Sequence, residues 1–357
     1  MNIKPLVIGN LVAPFPIIQG GMGVGISRYR LASAVANEGG IGVISSAQIG
    51  FDEEDFDKNA LGANLRALRK HITKAKELAP NGIIGLNIMV ATNYYEEHVK
   101  EAIEAGIDII ISGAGLPIAL PGLVNGSNVK IAPIVSSSRA ASILLKSWDR
   151  KFNVTADMVV VEGPKAGGHL GFNLEELESG DINIDKILVE VIEVVKEYET
   201  KYNKSIPVIM AGGVYDGIDI GKYINMGASG VQIATRFIAT NECDAHENYK
   251  QAFVECKKED ITLVKSPVGM PGRAIRNKLV EFLEKGRIKV KKCCNCLKRE
   301  ICDRITIPYC ITEKLIQAVK GDVENGLLFC GENAYRINKI VSVKEIFNEL
   351  KSELIKL

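Results

Sequence analysis

The sequence predicts an α/β protein built on a (β/α)8 barrel, the TIM-barrel architecture, and three observations lead to this prediction. Short apolar runs alternate with segments of helical periodicity over residues 16–255. The runs number eight, which is the strand count of this barrel, and the segment has about its usual length of 250 residues. The runs are nearly continuous instead of alternating with polar residues, as in parallel strands that are buried on both faces.

The predicted elements follow one another in strict alternation. The strands are expected at residues 16–23, 41–46, 82–88, 107–113, 129–136, 159–161, 206–213 and 230–236. The helices between them are expected at 28–37, 61–75, 94–105, 138–148, 184–202 and 216–226. The alternative is a doubly wound open sheet with a Gly-x-Gly-x-x-Gly turn after an early strand. Residues 20–25 are rich in glycine but lack that spacing, so the barrel is preferred.

The composition indicates a soluble globular protein. Of the 357 residues, 46% are hydrophobic and 24% are charged, and the formal net charge is +1. This balance gives no reason to expect a nucleic-acid or membrane partner. No apolar run reaches the ~18–20 residues that cross a bilayer, and the N-terminus does not resemble a secretion signal. We therefore expect a cytoplasmic location, with the eight cysteines reduced.

Polar and glycine residues end most of the predicted strands, and in a barrel all these ends open on one face. The residues expected to converge there are Gln19–Met22, Asn87, Ser112, Ser136, Gly167–His169, Gly212–Gly213 and Ala234–Thr235. The loops after the seventh and eighth strands form the usual phosphate site of this fold. Gly212 and Gly213 offer main-chain N–H groups with no side chain in the way. We therefore expect a phosphate group at this pair of loops.

His169 is the candidate catalytic residue. His71 and His98 lie in charged helical segments and His246 lies among polar residues, so these three are expected at the surface. His169 alone follows a strand and is framed by glycines. The alternative is a polar loop residue in a tight turn, and the pattern by itself does not decide between the two interpretations.

Six stretches of the chain carry a family resemblance. They are residues 16–23, 85–87, 166–171, 207–213, 230–237 and 266–274. In this order they resemble the nitronate monooxygenase family (formerly 2-nitropropane dioxygenase), which includes the flavin-dependent enoyl-acyl-carrier-protein reductase II. The resemblance implies an FMN-binding barrel, in agreement with the strand count. Many family members have a glutamate where this chain has Lys165, so the loop that shapes substrate access is expected to differ.

The resemblance also implies roles for individual residues. His169 would face the substrate over the flavin, Gln232 would point toward the ring system, and Asn87 would hydrogen-bond to it. The other cofactor-binding positions would be Gly21, Met22, Gly23, Gly167 and Gly168 beside the flavin, and Gly212, Gly213, Ala234 and Thr235 around its phosphate.

Three functions remain open at this point. The preferred one is oxidation of an alkyl nitronate or nitroalkane with O2, in which His169 either donates a hydrogen bond or removes a proton. The second is reduction of an enoyl thioester with NAD(P)H as co-substrate. The third is a flavin electron-transfer or binding protein, which would not need His169. The substrate is a small molecule in the first two cases, and the sequence leaves a homodimer open.

The remaining residues, 286–357, are expected to form a small, mostly helical, cysteine-containing cap on a barrel of residues 1–285. Helices are predicted at 308–319 and 341–354, and residues 331–336 are expected to reach the barrel mouth, with Tyr335 or Arg336 over the substrate. Four thiols in this segment, those of Cys293, Cys296, Cys302 and Cys310, could ligate zinc or an iron–sulfur cluster. Their spacing matches no standard metal motif, so plain reduced cysteines are preferred.

Overall fold

A computed structural model describes residues 3–298 and 300–357. Its strands are β1 (Leu6–Ile8), β2 (Leu11–Ala13), β3 (Ile17–Gln19), β4 (Ile41–Ser45), β5 (Ile83–Met89), β6 (Ile109–Gly113), β7 (Lys130–Val135), β8 (Val159–Glu162), β9 (Gly168–His169), β10 (Val208–Ala211), β11 (Gly230–Ile233), β12 (Ile261–Lys265) and β13 (Pro271–Ile275). Eight of them close into a parallel barrel in the order β3, β4, β5, β6, β7, β8, β10, β11. The predicted (β/α)8 barrel is confirmed.

The helices lie between the barrel strands and in the C-terminal segment. They are α1 (Tyr29–Asn37), α2 (Ala60–Leu78), α3 (Tyr95–Glu104), α4 (Leu120–Val124), α5 (Ser138–Phe152), α6 (Leu174–Ser179), α7 (Ile184–Tyr202), α8 (Gly217–Asn225), α9 (Glu247–Glu255), α10 (Lys278–Lys285), α11 (Ile311–Val319) and α12 (Val343–Ile355). Short 3₁₀ turns occupy Thr235–Phe237, Lys258–Asp260 and Ala334–Arg336. No helix in these described ranges is long and apolar enough to span a bilayer.

Helix α5 illustrates how the sequence builds the outer layer. Ser137 caps its N-terminus by accepting a hydrogen bond from the Ala140 N–H. Its buried residues recur at helical spacing and form one apolar face; they are Ala141, Leu144, Leu145 and Trp148. Asn153 ends the helix in a left-handed conformation, which asparagine tolerates better than most residues. The indole of Trp148 donates to the Pro117 carbonyl at 3.0 Å, so its only polar atom is satisfied in the core.

The barrel interior is filled by alternate residues of each strand. Ile41 and Val43 of β4 and Val160 of β8 belong to one buried cluster inside the barrel. Because side chains along a strand alternate between faces, the next inward position of β8 is Glu162. The same parity brings Ser45, Asn87 and Gln232 to the inner face at the carboxyl end. The barrel interior therefore has an apolar layer toward the amino ends of the strands and a polar layer at their carboxyl ends.

The β1–β2 hairpin was not predicted. Leu6, Ile8 and Ala13 are buried in the same interior cluster, and Gly9 lies against the side chain of Lys130, the first residue of β7. The hairpin therefore covers the amino-terminal end of the barrel. It was missed because each strand contributes only three residues, too few for a clear periodic signal.

The C-terminal segment contributes to the barrel wall as well as to its mouth. Helix α12 packs against α1 and α8, and its buried residues join the main core; they are Val343, Ile346, Phe347, Leu350 and Leu354. Buried Arg236, which follows β11, pairs with Glu349 of α12 at 2.5 Å. Because α8 follows the seventh barrel strand and α1 follows the first, the last helix takes the place of the eighth helix of the barrel. The division of the chain at residue 285 stays a prediction.

Two of the histidines expected at the surface are buried instead. His71 and His98 are each only 6% exposed. The ring of His71 stacks on Tyr29 with 5.4 Å between ring centroids, and burial lowers its pKa to about 3. His98 is held through Nδ1 to the Tyr94 carbonyl at 2.7 Å, and burial lowers its pKa too. His246 is exposed at the start of α9, as expected.

Candidate active site

A cavity of about 250 Å³ opens at the carboxyl ends of the barrel strands. All predicted site residues line it; they are Gly21, Met22, Gly23, Asn87, Gly167, Gly168, His169, Gly212, Gly213, Gln232, Ala234 and Thr235. They come from five separate strand ends that are distant in sequence. The convergence of these residues follows from the parallel closure of the barrel.

The loops after β10 and β11 form a cradle of main-chain groups. Gly212 and Gly213 have φ of +85° and +99°, a left-handed conformation that favours glycine. A Cβ on Gly212 would lie 2.8 Å from the Gly163 carbonyl oxygen. The N–H groups of Gly213, Ala234 and Thr235 make no hydrogen bond within the described ranges. They are therefore available to an anionic oxygen, and the cradle fits the phosphate of FMN.

The loop after β3 lies unusually close to β5. A Cβ on Gly21 would come within 2.3 Å of the Asn87 Cβ, so only glycine fits this approach. A Cβ on Gly23 would meet Ala47 and Ser45 at 2.7 Å. The side-chain amides of Asn87 and Gln232 face the cavity and hydrogen-bond to no other residue that the structure describes. Two partly exposed amides without partners suit recognition of a polar ring system.

His169 is held at one side of the cavity by residues from the C-terminal half of the chain. Its Nε2 lies 2.7 Å from the Ser266 hydroxyl, and Phe329 packs edge-on against the ring at 5.1 Å between centroids. Burial lowers the pKa of His169 to about 4. The imidazole is therefore neutral at physiological pH. Its Nε2 donates to Ser266 in one tautomer and accepts from Ser266 in the other.

Arg273 positions the turn that carries His169. It lies on β13, which pairs with β9 so that Gly272 is opposite His169. Its guanidinium is buried and donates to the carbonyls of Pro164 and Ala166 at 2.7 and 2.6 Å. Because these carbonyls precede the glycine turn, the contact fixes the direction in which the turn leaves β8. The sequence motif at residues 266–274 gave no hint of this role.

Glu162 is a site residue that the sequence analysis missed. It is the only acidic side chain among the described residues lining the cavity, and it makes no hydrogen bond with any of them. Burial raises its pKa to about 7. The alternation of inward residues along β8 could have identified it. Two titratable groups of the cavity wall, Glu162 and His169, thus have pKa values that are shifted in opposite directions.

Three residues expected at the mouth lie elsewhere. Gln19 is fully buried; its Oε1 accepts from the Val43 N–H at 3.0 Å and its Nε2 donates to Ser27. Ser112 is also fully buried and bonds to the Tyr95 hydroxyl. Both have the strand parity that points away from the barrel axis. Ser136 does not line the cavity either.

Residues 331–336 reach the mouth as predicted, but through other side chains. Gly331 and Asn333 line the cavity; the Gly331 N–H donates to Thr235 Oγ1 at 2.9 Å and Asn333 donates to the Gly213 carbonyl at 2.7 Å. Tyr335 and Arg336 do not line it. Arg336 turns outward to pair with Asp216 at 2.6 Å. The expectation that Tyr335 or Arg336 covers the substrate is therefore wrong.

The cysteine segment borders the same cavity. Cys296 lines it together with Leu297 and Thr312. Within residues 3–298 and 300–357, no three histidine, cysteine or acidic side chains are arranged to hold a metal ion. The metal interpretation of Cys293, Cys296, Cys302 and Cys310 thus gains no support from the geometry.

Comparison with known proteins bears on this cavity. The model of the nitronate monooxygenase family matches residues 4–353. The chain belongs to that family. The predicted resemblance is thereby confirmed, and the family is one of oxidoreductases.

Several relatives and solved structures resemble this chain at low sequence identity. A probable nitronate monooxygenase of Bacillus subtilis is 26% identical, with 96% of each chain covered. A 5-hydroxy-7a-methyl-1-oxo-octahydro-1H-indene-4-carboxyl-CoA dehydrogenase of Mycobacterium tuberculosis is 27% identical over 76% of this chain. That match spans 66% of the relative's length, slightly less than two thirds. FabK of Thermotoga maritima superposes with a TM-score of 0.73 at 25% identity, covering 96% and 93% of the two chains. A nitroalkane oxidase of Streptomyces ansochromogenes, at 19% identity and a TM-score of 0.70, supports the fold alone.

Proposed function

We propose that this protein is an FMN-dependent oxidoreductase that oxidises alkyl nitronates or nitroalkanes with O2. The observation that carries the proposal is a single cavity that combines a main-chain phosphate cradle with His169 on its wall. Only one such cradle is evident among the described residues, which supports FMN over a dinucleotide cofactor. A cytoplasmic location and a homodimeric assembly stay predictions.

The residues of the cavity divide into those that would hold the cofactor and those that would meet the substrate. Gly212, Gly213, Ala234 and Thr235 would bind the phosphate through main-chain N–H groups. Asn87 and Gln232, together with Gly21, Met22, Gly23, Gly167 and Gly168, would contact the rest of the flavin. When bound, FMN supplies an acceptor for substrate electrons that O2 can reoxidise.

The neutral state of His169 favours a nitronate over a neutral nitroalkane. A nitronate is a stabilised carbanion with most of its charge on oxygen, so it needs a hydrogen-bond donor and no base. With a pKa of about 4, His169 is a weak base. It can still donate a hydrogen bond: in the tautomer with the proton on Nδ1, Nε2 accepts from the Ser266 hydroxyl and the Nδ1–H can donate to the substrate. Phe329 beside the ring limits the water that competes for this hydrogen bond.

Reduction of an enoyl thioester with NAD(P)H is the second candidate. FabK is an enoyl-acyl-carrier-protein reductase II, and its superposition over nearly the whole chain favours this function. The same residues would serve both reactions, since in each case bound FMN would supply the acceptor for the electrons. The two functions therefore differ in which molecule reduces the flavin.

Anaerobic mixing separates the candidates. The purified protein is mixed without oxygen with propionate 3-nitronate in one experiment and with NADH in another. Flavin absorbance is followed in both. We expect the nitronate to bleach or shift the flavin spectrum within turnover time and NADH to leave it unchanged. Reduction by NADH alone would support the enoyl reductase. Colourless protein that cannot be reconstituted with FMN would refute both.

A further inference from the structure

Two positively charged side chains, those of Lys165 and Arg236, are among the described residues that line the cavity. Arg236 is committed to the wall: its side chain is 8% exposed, and Nη2 pairs with Glu349 at 2.5 Å. Its Nη1 donates to the Tyr215 carbonyl at 2.8 Å. Lys165 differs, because its side chain is 57% exposed and makes one exposed ion pair. Lys165 is therefore the cation of this lining that an anionic ligand can reach.

The stem of Lys165 lies over the phosphate cradle. A Cβ on Gly213 would come within 3.0 Å of the Lys165 Cβ and 3.2 Å of its Cδ, and the ammonium follows after one more methylene. The Gly213 N–H is one of the cradle groups that make no hydrogen bond within residues 3–298 and 300–357. The lysine thus covers the same glycine whose N–H is available to an anionic oxygen.

The main chain around Lys165 is held by three hydrogen bonds. The Lys165 carbonyl accepts from the Glu332 N–H at 3.1 Å. The carbonyls of its neighbours, Pro164 and Ala166, accept from Arg273 at 2.7 and 2.6 Å. Because three consecutive carbonyls are fixed, the side chain of Lys165 can change its direction while the turn keeps its shape.

The carboxylate that faces this lysine, that of Glu332, lies at the rim of the same cradle. On one side of it the Gly331 N–H donates to Thr235 Oγ1 at 2.9 Å, and on the other Asn333 donates to the Gly213 carbonyl at 2.7 Å. The lysine Nζ lies 3.5 Å from the Glu332 Oε1, and both side chains are exposed. An exposed pair at this distance is weak. A phosphate, with about 1.5–2 negative charges near pH 7 and three acceptor oxygens, competes well with it.

We propose that Lys165 is a phosphate-binding residue of the cradle, and that its ammonium exchanges Glu332 for the phosphate of bound FMN. The inference rests on the FMN cofactor proposed above. The main-chain N–H groups of the cradle carry only partial charges, and the charge of Arg236 is matched by Glu349. Lys165 therefore supplies the full positive charge beside the phosphate, a role to which a lysine ammonium is well suited.

A comparison of FMN with riboflavin tests this role, because riboflavin has the same ring system without the phosphate. Both flavins are titrated into the full-length apoprotein, and flavin fluorescence gives each dissociation constant. We expect Lys165→Gln to weaken FMN binding about tenfold and riboflavin binding by less than about twofold, since glutamine keeps most of the stem but not the charge. Lys165→Arg should restore most of the FMN affinity.

The acidic partner should give a change in the opposite direction. Glu332→Gln removes both a competitor for the ammonium and a charge that repels phosphate, so FMN should bind about threefold more tightly. Added salt should reduce the preference for FMN more in the wild type than in Lys165→Gln, since salt screens exposed charges. Lys222→Gln breaks an exposed pair with Asp185 at 2.8 Å and is the control, which should match the wild type. Melting temperature, measured for every variant, shows that each is folded.

Three results would overturn the inference. Unchanged FMN affinity in Lys165→Gln would assign the ammonium to another anion, such as one carried by the substrate. Equal losses for FMN and riboflavin would show that the lysine acts through the shape of the cavity mouth. Weaker FMN binding in Glu332→Gln, equal to that in Lys165→Gln, would make the ion pair itself the contact that matters.

The function proposed above can fail separately. Folded wild-type apoprotein that binds neither flavin would refute the FMN cofactor and this inference together. Flavin binding that follows the expected pattern, without oxidation of a nitronate, would refute the reaction and leave the role of Lys165 in place.

Discussion

The two sides of the cavity are built in different ways. On the phosphate side, the loops after β10 and β11 act through main-chain N–H groups, and Gly212 and Gly213 owe their shape to local conformation. On the histidine side, His169 depends on Ser266, Arg273 and Phe329, which lie about a hundred or more residues further along the chain. One side is therefore encoded locally and the other by tertiary contacts. Changes to the two sides should have different consequences.

Removal of the imidazole should have the largest effect on turnover. We expect His169→Ala to retain FMN and its melting temperature but to lose about 10²–10⁴-fold in kcat/KM with a nitronate, since a positioned hydrogen-bonding or proton-transfer group is worth that much. Steady-state oxygen consumption measures the loss. His246→Ala, which changes an exposed histidine, is the control and should match the wild type. Full activity of His169→Ala would remove this residue from the mechanism.

The pH profile sharpens the same assignment. Because the pKa of His169 is lowered to about 4, the free enzyme should keep its kcat/KM for a nitronate down to about pH 5. An ordinary histidine would instead show a change near pH 6.5. The unfolded chain binds a proton below about pH 6.5 that the folded chain does not, so His169 also makes the protein less stable as pH falls from 6.5 to 4. A kcat/KM break at pH 6.5 that disappears in His169→Ala would contradict the lowered pKa.

Loss of the Arg273 guanidinium should displace His169 without affecting the phosphate cradle. Arg273→Met leaves the carbonyls of Pro164 and Ala166 without their donor, which costs about 1–3 kcal/mol of folding stability. We expect kcat to fall by about tenfold to a hundredfold because a misplaced catalytic group costs that much, with FMN affinity nearly unchanged. Arg276→Met, which breaks an exposed pair with Glu284, is the control. A loss of FMN equal to the loss of kcat would show that the two sides are not separate.

A methyl group in the cradle should weaken cofactor binding beyond the effect of backbone strain. Gly212→Ala combines a left-handed φ with a Cβ 2.8 Å from the Gly163 carbonyl, so the loop must shift. We expect FMN affinity to fall about tenfold, which corresponds to about 1.4 kcal/mol, as measured by fluorescence titration of the apoprotein. Gly126→Ala has a similar φ of +82° with open space around it and controls for backbone strain. Equal affinities in the two variants would argue against a phosphate at the cradle.

The smallest effect is expected at Glu162, between the two sides. Its raised pKa means that the folded protein holds a proton between about pH 4.5 and 7 that the unfolded chain has lost, so stability from this group falls as pH rises through that window. Glu162→Gln should flatten this part of the stability profile and remove any step near pH 7 in FMN affinity. Chemical denaturation at several pH values measures the first effect. An unchanged profile would place the Glu162 pKa in its ordinary range.

The contrast between the two sides also explains what the sequence could predict. The continuous apolar runs specify buried parallel strands, and their glycine ends specify a main-chain cradle, so the barrel and the glycine-rich part of the cavity wall could be found from local patterns. The partners of His169 could not, because strand pairing between β13 and β9 is a tertiary event. His71 was misplaced because its charged neighbours occupy the outer face of α2 while the ring faces Tyr29 of α1.

Helix α12 has a consequence for how the molecule is assembled during synthesis. It fills the wall between α1 and α8, yet it leaves the ribosome only after all eight barrel strands. Until then, the apolar groove that Phe347 and Leu350 will occupy stays open to solvent on a nascent barrel. A growing chain in this state exposes an apolar surface that chaperones and other chains can bind. Completion of the helical layer is therefore a long-range event that follows synthesis of the barrel strands and joins α12 to α1.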